Sequence, residues 1–358
     1  MDQSEGAVTA RRNKSGASFV RSMVDLSFRP STLRRLAIAI VILYVASSFF
    51  GGIGLGEMGM HPGRRPIPEQ EKRKIESEVN KLHANLGDVS IKAADGAILR
   101  AWFVEPALGN GNAVILLHGV SDNRLGMVGY GTWLLKSGYS ILLPDARAHG
   151  LSDGKLATYG LKEADDIHGW VSWLENAHHS NCVFGFGESM GAGQILQALS
   201  KEQRFCAVVA ESPFESFREV SYARFGRPFH AGPWLGRTFF WPTDAVGFLY
   251  VRLRYGVDMD LASPKNAVAH SNVPVFLIHG TDDRNIPSYN SADLEAANSS
   301  KVVLWLVPHA VHCGARSVAP EEFDRRILEW FHEHSKEKVD QAPPVVSLTR
   351  LRLHARSA

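Results

Sequence analysis

Six short runs of almost wholly apolar residues constrain this chain more than any other feature. They are AVILLHG at 113–119, YSILLPDAR at 139–147, CVFGFGES at 182–189, CAVVAES at 206–212, VPVFLIHG at 273–280 and KVVLWLVP at 301–308. A strand with one face in water alternates apolar and polar residues. These runs do not alternate, so strands buried on both faces are expected. Helical stretches separate them, near 125–137, near 161–178 and from Met190 to about Lys201, and a last helix is expected from about Pro320 to Lys338. Strand–helix alternation of this kind predicts a mostly parallel, doubly wound sheet. Upstream, DVSIKAADGAILRAWFVEP reads as two short strands around an Asp95-Gly96 turn, a hairpin signal. With 358 residues, 45% of them hydrophobic, the chain can form one large or two ordinary domains with an ample core.

In an open parallel sheet, chemistry gathers at the carboxyl ends of the strands. Here nearly every run ends in a reactive or tight-turn residue: His118-Gly119, Asp145 within DARAHGLSDG, Ser189, Glu211, then HGTDDRNIP and PHAVH. The segment around Ser189 reads GESMG, with Gly187 and Gly191 two positions either side. In the G-x-S-x-G pattern a strand ends, the chain turns sharply and a helix begins, with the serine at a strained apex. Side chains two residues away on either side would collide with the turn. In a chain with 32 glycines the pentapeptide alone is equally an ordinary glycine-rich turn, so its strand and helix context carries the signal.

Five motifs in order, His118-Gly119, DARAHGLSDG, GESMG, HGTDDRNIP and a late His312, resemble the α/β-hydrolase superfamily over about residues 88–335. More narrowly, the chain is similar to the serine aminopeptidase-like hydrolases. The resemblance implies a Ser-Asp-His order. Ser189 would be the nucleophile, His312 the base that activates it, and Asp283 the acid that orients the imidazole. His309, Asp282 and Glu211 are the rivals for base and acid. Backbone N–H groups of Val120 and Met190 would form the oxyanion hole. Asp145, Arg147 and His149 would buttress the site.

The N-terminus is different in kind. Residues 1–35 are polar and basic and read as disordered. Leu36 to Leu55 then runs twenty residues without a charge, eleven of them Leu, Ile, Val or Phe. A helix of that length spans roughly 30 Å, the thickness of a bilayer's hydrocarbon core. A single-pass anchor is expected, with a signal peptide as the alternative. Arg34 and Arg35 next to the run favour an inside N-terminus, which places the bulk of the chain outside the cytoplasm. Residues 56–87 read as a linker followed by an amphipathic helix from Glu69 to about Leu86, with Ile75, Val79, Leu82 and Leu86 on one face. Residues 88–338 form the hydrolase domain, with a cap insertion at about 213–265, and 339–358 a flexible tail. Twelve aromatics and several arginines crowd residues 214–255. They suit helix faces packed on the body, an acyl pocket or a membrane-facing lid.

The formal net charge of +2 gives no case for a nucleic-acid partner. No phosphate loop, H-E-x-x-H or C-x-x-C pair is present, so neither a cofactor nor a metal is expected. Cys182, Cys206 and Cys313 are too few and too scattered for a disulfide framework. Buried thiols are expected, with a Cys182–Cys206 bridge as the lesser alternative. The expectation is a membrane-anchored serine hydrolase acting on a small-molecule ester, or alternatively on an amide as a peptidase. Acyl transfer to an acceptor other than water, and a non-catalytic membrane-tethered binding module, are the further alternatives.

Overall fold

The structure is a computed structural model that describes residues 30–335. The N-terminal segment before Pro30, the expected continuation of the last helix to Lys338 and the expected flexible tail lie outside the described residues. Two units are distinguished, one up to Ser48 and one from Phe49 onward.

Helix α1 runs from Pro30 to Met60. It overruns the charge-free stretch at both ends. It starts at Pro30, whose fixed φ suits the first helical position, inside the segment expected to be loose. It also continues through residues expected to be linker, reaching Met60 before Pro62 stops it. Its most apolar 18-residue window has a mean hydropathy of 2.3, and its length and composition would let it cross a membrane.

In the second unit, α2 (Glu69–Lys81) begins after Pro68, with Glu69 and Glu71 in its first turn and Lys81 in its last, signs that suit the helix dipole. It ends earlier than expected. The chain turns at His83, where φ is 53°, and Leu86 belongs to strand β1 (Asn85–Lys92). Leu86 still packs on the same core cluster as Ile75 and Leu82. Strand β2 (Ile98–Glu105) completes the hairpin. Then follow β3 (Ala113–Leu117), α3 (Val128–Lys136), β4 (Ser140–Pro144), α4 (Glu163–His178), β5 (Val183–Glu188), α5 (Met190–Ala198) and β6 (Ala207–Glu211). The cap carries α6 (Phe217–Gly226), α7 (Trp234–Arg237), α8 (Trp241–Tyr255) and α9 (Pro264–Ala269). Strand β7 (Val275–Gly280), α10 (Tyr289–Ala297), β8 (Val302–Val307), α11 (Ala315–Val318) and α12 (Pro320–Glu333) close the fold.

The eight strands lie in the order β1-β2-β4-β3-β5-β6-β7-β8. Strand β2 pairs antiparallel with both β1 and β4, and the six strands from β4 to β8 are parallel to one another. Alternate side chains of one run face opposite sides of the sheet. Ile115 and Leu117 join the core cluster of α4 and α5, while Val114 and Leu116 join that of α3 and α12. Strand β8 is the exception to two-sided burial. As an edge strand it leaves Val303 and Leu306 about half exposed.

The parallel register also corrects the cysteine expectation. Cys182 and Cys206 sit at the starts of the neighbouring strands β5 and β6, which brings their Cα atoms to 5.7 Å, and they form a disulfide. Their separation of 24 residues carried no information on strand adjacency.

Candidate active site

Register brings the strand ends into one row: Leu117 pairs with Gly187, Glu188 with Glu211, and Glu211 with Ile278. Ser189 therefore stands between the loops that follow β3 and β7. Its backbone has φ 51° and ψ −110°, a strained combination for a residue other than glycine. The two flanking glycines permit it. A Cβ on Gly187 would lie 2.4 Å from the carbonyl carbon of Gly191, and one on Gly191 would lie 2.3 Å from the Leu117 carbonyl oxygen. These backbone collisions cannot be relieved by a rotamer change.

His312, from the loop after β8, has Nε2 2.9 Å from Ser189 Oγ and Nδ1 2.7 Å from Asp283 Oδ2. With Nδ1–H donated to the carboxylate, Nε2 is left to accept the serine proton. Asp283 is fully buried and held from several directions. Asn285 and Ile286 donate their N–H groups to Oδ1, and His279 Nε2 lies 3.3 Å from Oδ2. Burial opposes its ionisation, yet the hydrogen bonds from His279 and His312 prevail and hold its carboxyl well below the usual carboxylate range.

The rivals are elsewhere. His309 has an 87% exposed side chain and lies 3.8 Å from Asp282. Glu211 turns away from His312: it accepts from the Ala315 N–H at 3.0 Å and lies 3.5 Å from the Tyr130 hydroxyl. Tyr130 donates to Glu188 at 2.5 Å. Burial, then the neighbouring Glu188 carboxylate, push Glu211 up to about 8. This pair of carboxyls beneath the serine was not anticipated from sequence.

Val120 and Met190 both stand at Ser189, with backbone N–H groups that have no turn or loop acceptor among the described residues. Met190 opens α5, so its N–H has no intrahelical acceptor. Both residues line a small cavity of about 20 Å³ with Ser189. The loop that carries Val120 is braced by His118. Its Nε2 accepts from the Ala146 N–H at 3.1 Å and its Nδ1 lies 2.8 Å from the Gly119 carbonyl. Burial pushes His118 down to about 4, so it is neutral at physiological pH. Asp145 braces the next loop, accepting from the Arg124 side chain and from the N–H groups of Arg124 and Leu151. Arg147 forms a bidentate pair with Asp166. His149 lies 3.0 Å from the Arg147 carbonyl through Nδ1.

Sequence reasoning missed His118 and His279 as supports, although each ends a strand in a His-Gly pair. That shared position was the available signal. It also missed Arg224, which lines the small cavity with Ser189 and has no carboxylate partner among the described residues.

Residues 110–241 match a family model described as serine aminopeptidase, S33. YqkD of Bacillus subtilis, an uncharacterized protein, is 29% identical over 246 residues, spanning 67% of this chain and 77% of its own length. The uncharacterized YfhR of Escherichia coli is 25% identical over 237 residues, or 64% and 74%. Among solved structures, an esterase from Pyrococcus furiosus superposes with a TM-score of 0.60 at 26% identity, covering 76% of this chain and 98% of the esterase. An acylaminoacyl peptidase from Pyrococcus horikoshii superposes with a TM-score of 0.54 at 16% identity, covering 72% and 43%, a likeness of fold alone. In sheet order, strand-end geometry and these similarities, the chain is an α/β-hydrolase related over its central strands to the serine aminopeptidase family.

Proposed function

We propose that this α/β-hydrolase is a membrane-anchored serine hydrolase of carboxylic esters. The observation that carries the reading is the unbroken hydrogen-bond chain from Ser189 through His312 to Asp283. A serine hydroxyl is a poor nucleophile without a base in reach. Here Ser189 Oγ attacks the ester carbonyl as His312 Nε2 takes its proton. The oxyanion accepts from the Val120 and Met190 N–H groups. Collapse breaks the C–O bond, and His312 returns the proton to the departing alcohol. Water then attacks the acyl-enzyme with His312 as base, which regenerates Ser189 and releases the acid.

An ester is favoured over an aminopeptidase substrate because the charged residue lining the cavity at Ser189 is Arg224, while Glu188 and Glu211 do not line it. A free amino terminus needs an anion there, and a guanidinium repels it. The test is labelling of the full chain with a fluorophosphonate, read by intact mass. One adduct is expected, absent in Ser189→Ala. A well-folded protein that takes no adduct would overturn the hydrolase reading.

Helix α1 supports anchoring, and the Cys182–Cys206 disulfide supports a catalytic unit on the oxidising side of the membrane. Protein taken from membranes and denatured in an alkylating reagent should gain one adduct, on Cys313. Three adducts would place the domain in a reducing compartment.

A further inference from the structure

We propose that the end of α1 is one wall of an acyl-chain site, and that the substrate is an ester held in the membrane by that chain. This rests on the ester-hydrolase reading above. A cavity of about 370 Å³ lies against the small one at Ser189, and the two share Val120, Tyr159, Phe217, Val220 and Arg224 as lining. Its occupant is therefore a part of the substrate that continues from the carbonyl at Ser189. Its size falls in the range of small-molecule sites, roughly 300–1,000 Å³.

The lining selects an apolar occupant. Leu55, Met60, Phe217, Val220 and Phe248 supply hydrocarbon or aromatic surface. The deeper polar groups are engaged: Asp244 is paired with Arg218 and bonded by Ser221, and the Tyr159 hydroxyl donates to the Gly59 carbonyl at 2.8 Å, while Arg224 belongs to the lining shared with the cavity at Ser189. A polar ligand would find few unsatisfied partners, whereas an acyl chain requires none.

The same wall says where the chain comes from. The charge-free run ends at Leu55, and Leu55 is also the first lining residue in the chain. From Leu55 to Met60 a helix rises only about 8 Å. A membrane span ending at Leu55 thus holds the cavity within one or two helical turns of the bilayer surface. Apolar side chains exposed on the cap, among them Trp241, Leu249 and Leu253, suit that interface.

The wall is fixed to the cap rather than resting on it. Gly52 and Gly56 lie against α8, and Tyr255 donates to Glu57 at 2.7 Å, with Tyr250 bonded to the same oxygen.

The test uses the full chain in phosphatidylcholine vesicles with p-nitrophenyl esters from acetate to dodecanoate. In the wild type kcat/KM should rise about fourfold for each added methylene until the cavity is filled. Gly59→Phe places a ring where a Cβ meets no atom within 4 Å, and Val220→Phe narrows the passage to Ser189. Each should lower the dodecanoate-to-acetate ratio at least tenfold. A flat series in the wild type, or an unchanged ratio in both variants, overturns the proposal. If no ester is cleaved, photo-cross-linking with a diazirine-bearing dodecanoate separates the two readings. Labels on α6 and α8 that Gly59→Phe removes keep the acyl site and sink the esterase. Labels that ignore the substitution sink the acyl site as well.

Discussion

At the scale of single residues, the site is an exercise in assigning protons. Ser189 and His312 need one each in defined places, and Asp283 needs none. The buried Glu211 presents the opposite case. Its folded-state pKa of about 8 lies above the ordinary value of 4.5, so the folded protein holds a proton that the unfolded chain has released. A raised pKa of this kind contributes stability below about pH 4.5 that is lost as pH rises through 8. The groups facing it are Glu188, Tyr130, Cys313 and Asp283. Glu211→Gln keeps a neutral group there and an acceptor for the Ala315 N–H. The variant should therefore gain on the wild type by about 2–4 kcal/mol between pH 5 and pH 9. Thermal melts across that range check it, and parallel pH profiles for the two proteins would refute it.

At the scale of elements, the sequence located the strands and the serine turn well because each rests on local chemistry. Every one of the six apolar runs contains a strand, and GESMG contains the turn. Helix ends were less legible. Residues 56–60 read as linker because they open a stretch rich in Gly, Pro and Arg, and four of the six residues from Gly51 to Gly56 are glycines, a composition that disfavours an isolated helix. Packing overrides that preference. A Cβ on Gly52 would meet the Thr243 carbonyl oxygen at 2.5 Å and Val246 Cβ at 2.8 Å, so glycine is what lets the helix approach α8. Gly52→Val should cost about 1–3 kcal/mol through overpacking, whereas Gly59→Ala, with open space around it, should stay within about 0.5 kcal/mol of wild type. Chemical denaturation of the two variants in one detergent compares them directly. Equal losses would mean that the close approach to α8 is not what those glycines serve.

At the scale of the whole molecule, the segment between the charge-free run and α2 is part of the catalytic unit. Met60 is buried in the cluster beneath the cap, and its carbonyl accepts from the Ala157 N–H. The Arg64 guanidinium donates to the Ser152 and Gly154 carbonyls at 2.6 and 2.7 Å, and Asn123 donates to the Arg65 carbonyl. A chain begun at Glu69 loses all of these contacts and opens one wall of the cavity. Its Tm should fall by on the order of 10 °C relative to the full chain, since a buried Met alone contributes about 2–5 kcal/mol and each kcal/mol moves Tm by about 2–4 °C. Equal Tm values would show that the segment only tethers.

The sequence by itself determined the strand–helix alternation, the turn at Ser189 and the reactive residues at the strand ends. These depend on side-chain hydrophobicity, on glycine's lack of a Cβ and on periodicities a few residues long. Only the tertiary structure decided which partners meet. It brought His312 rather than His309 to Ser189, sent Glu211 to Ala315 and Tyr130, joined Cys182 to Cys206, and placed the end of α1 against the cap. Strand order and register set the pairings within the sheet, and helix packing sets the one at the cap; they join residues 24 to 198 positions apart, and no local pattern encodes them.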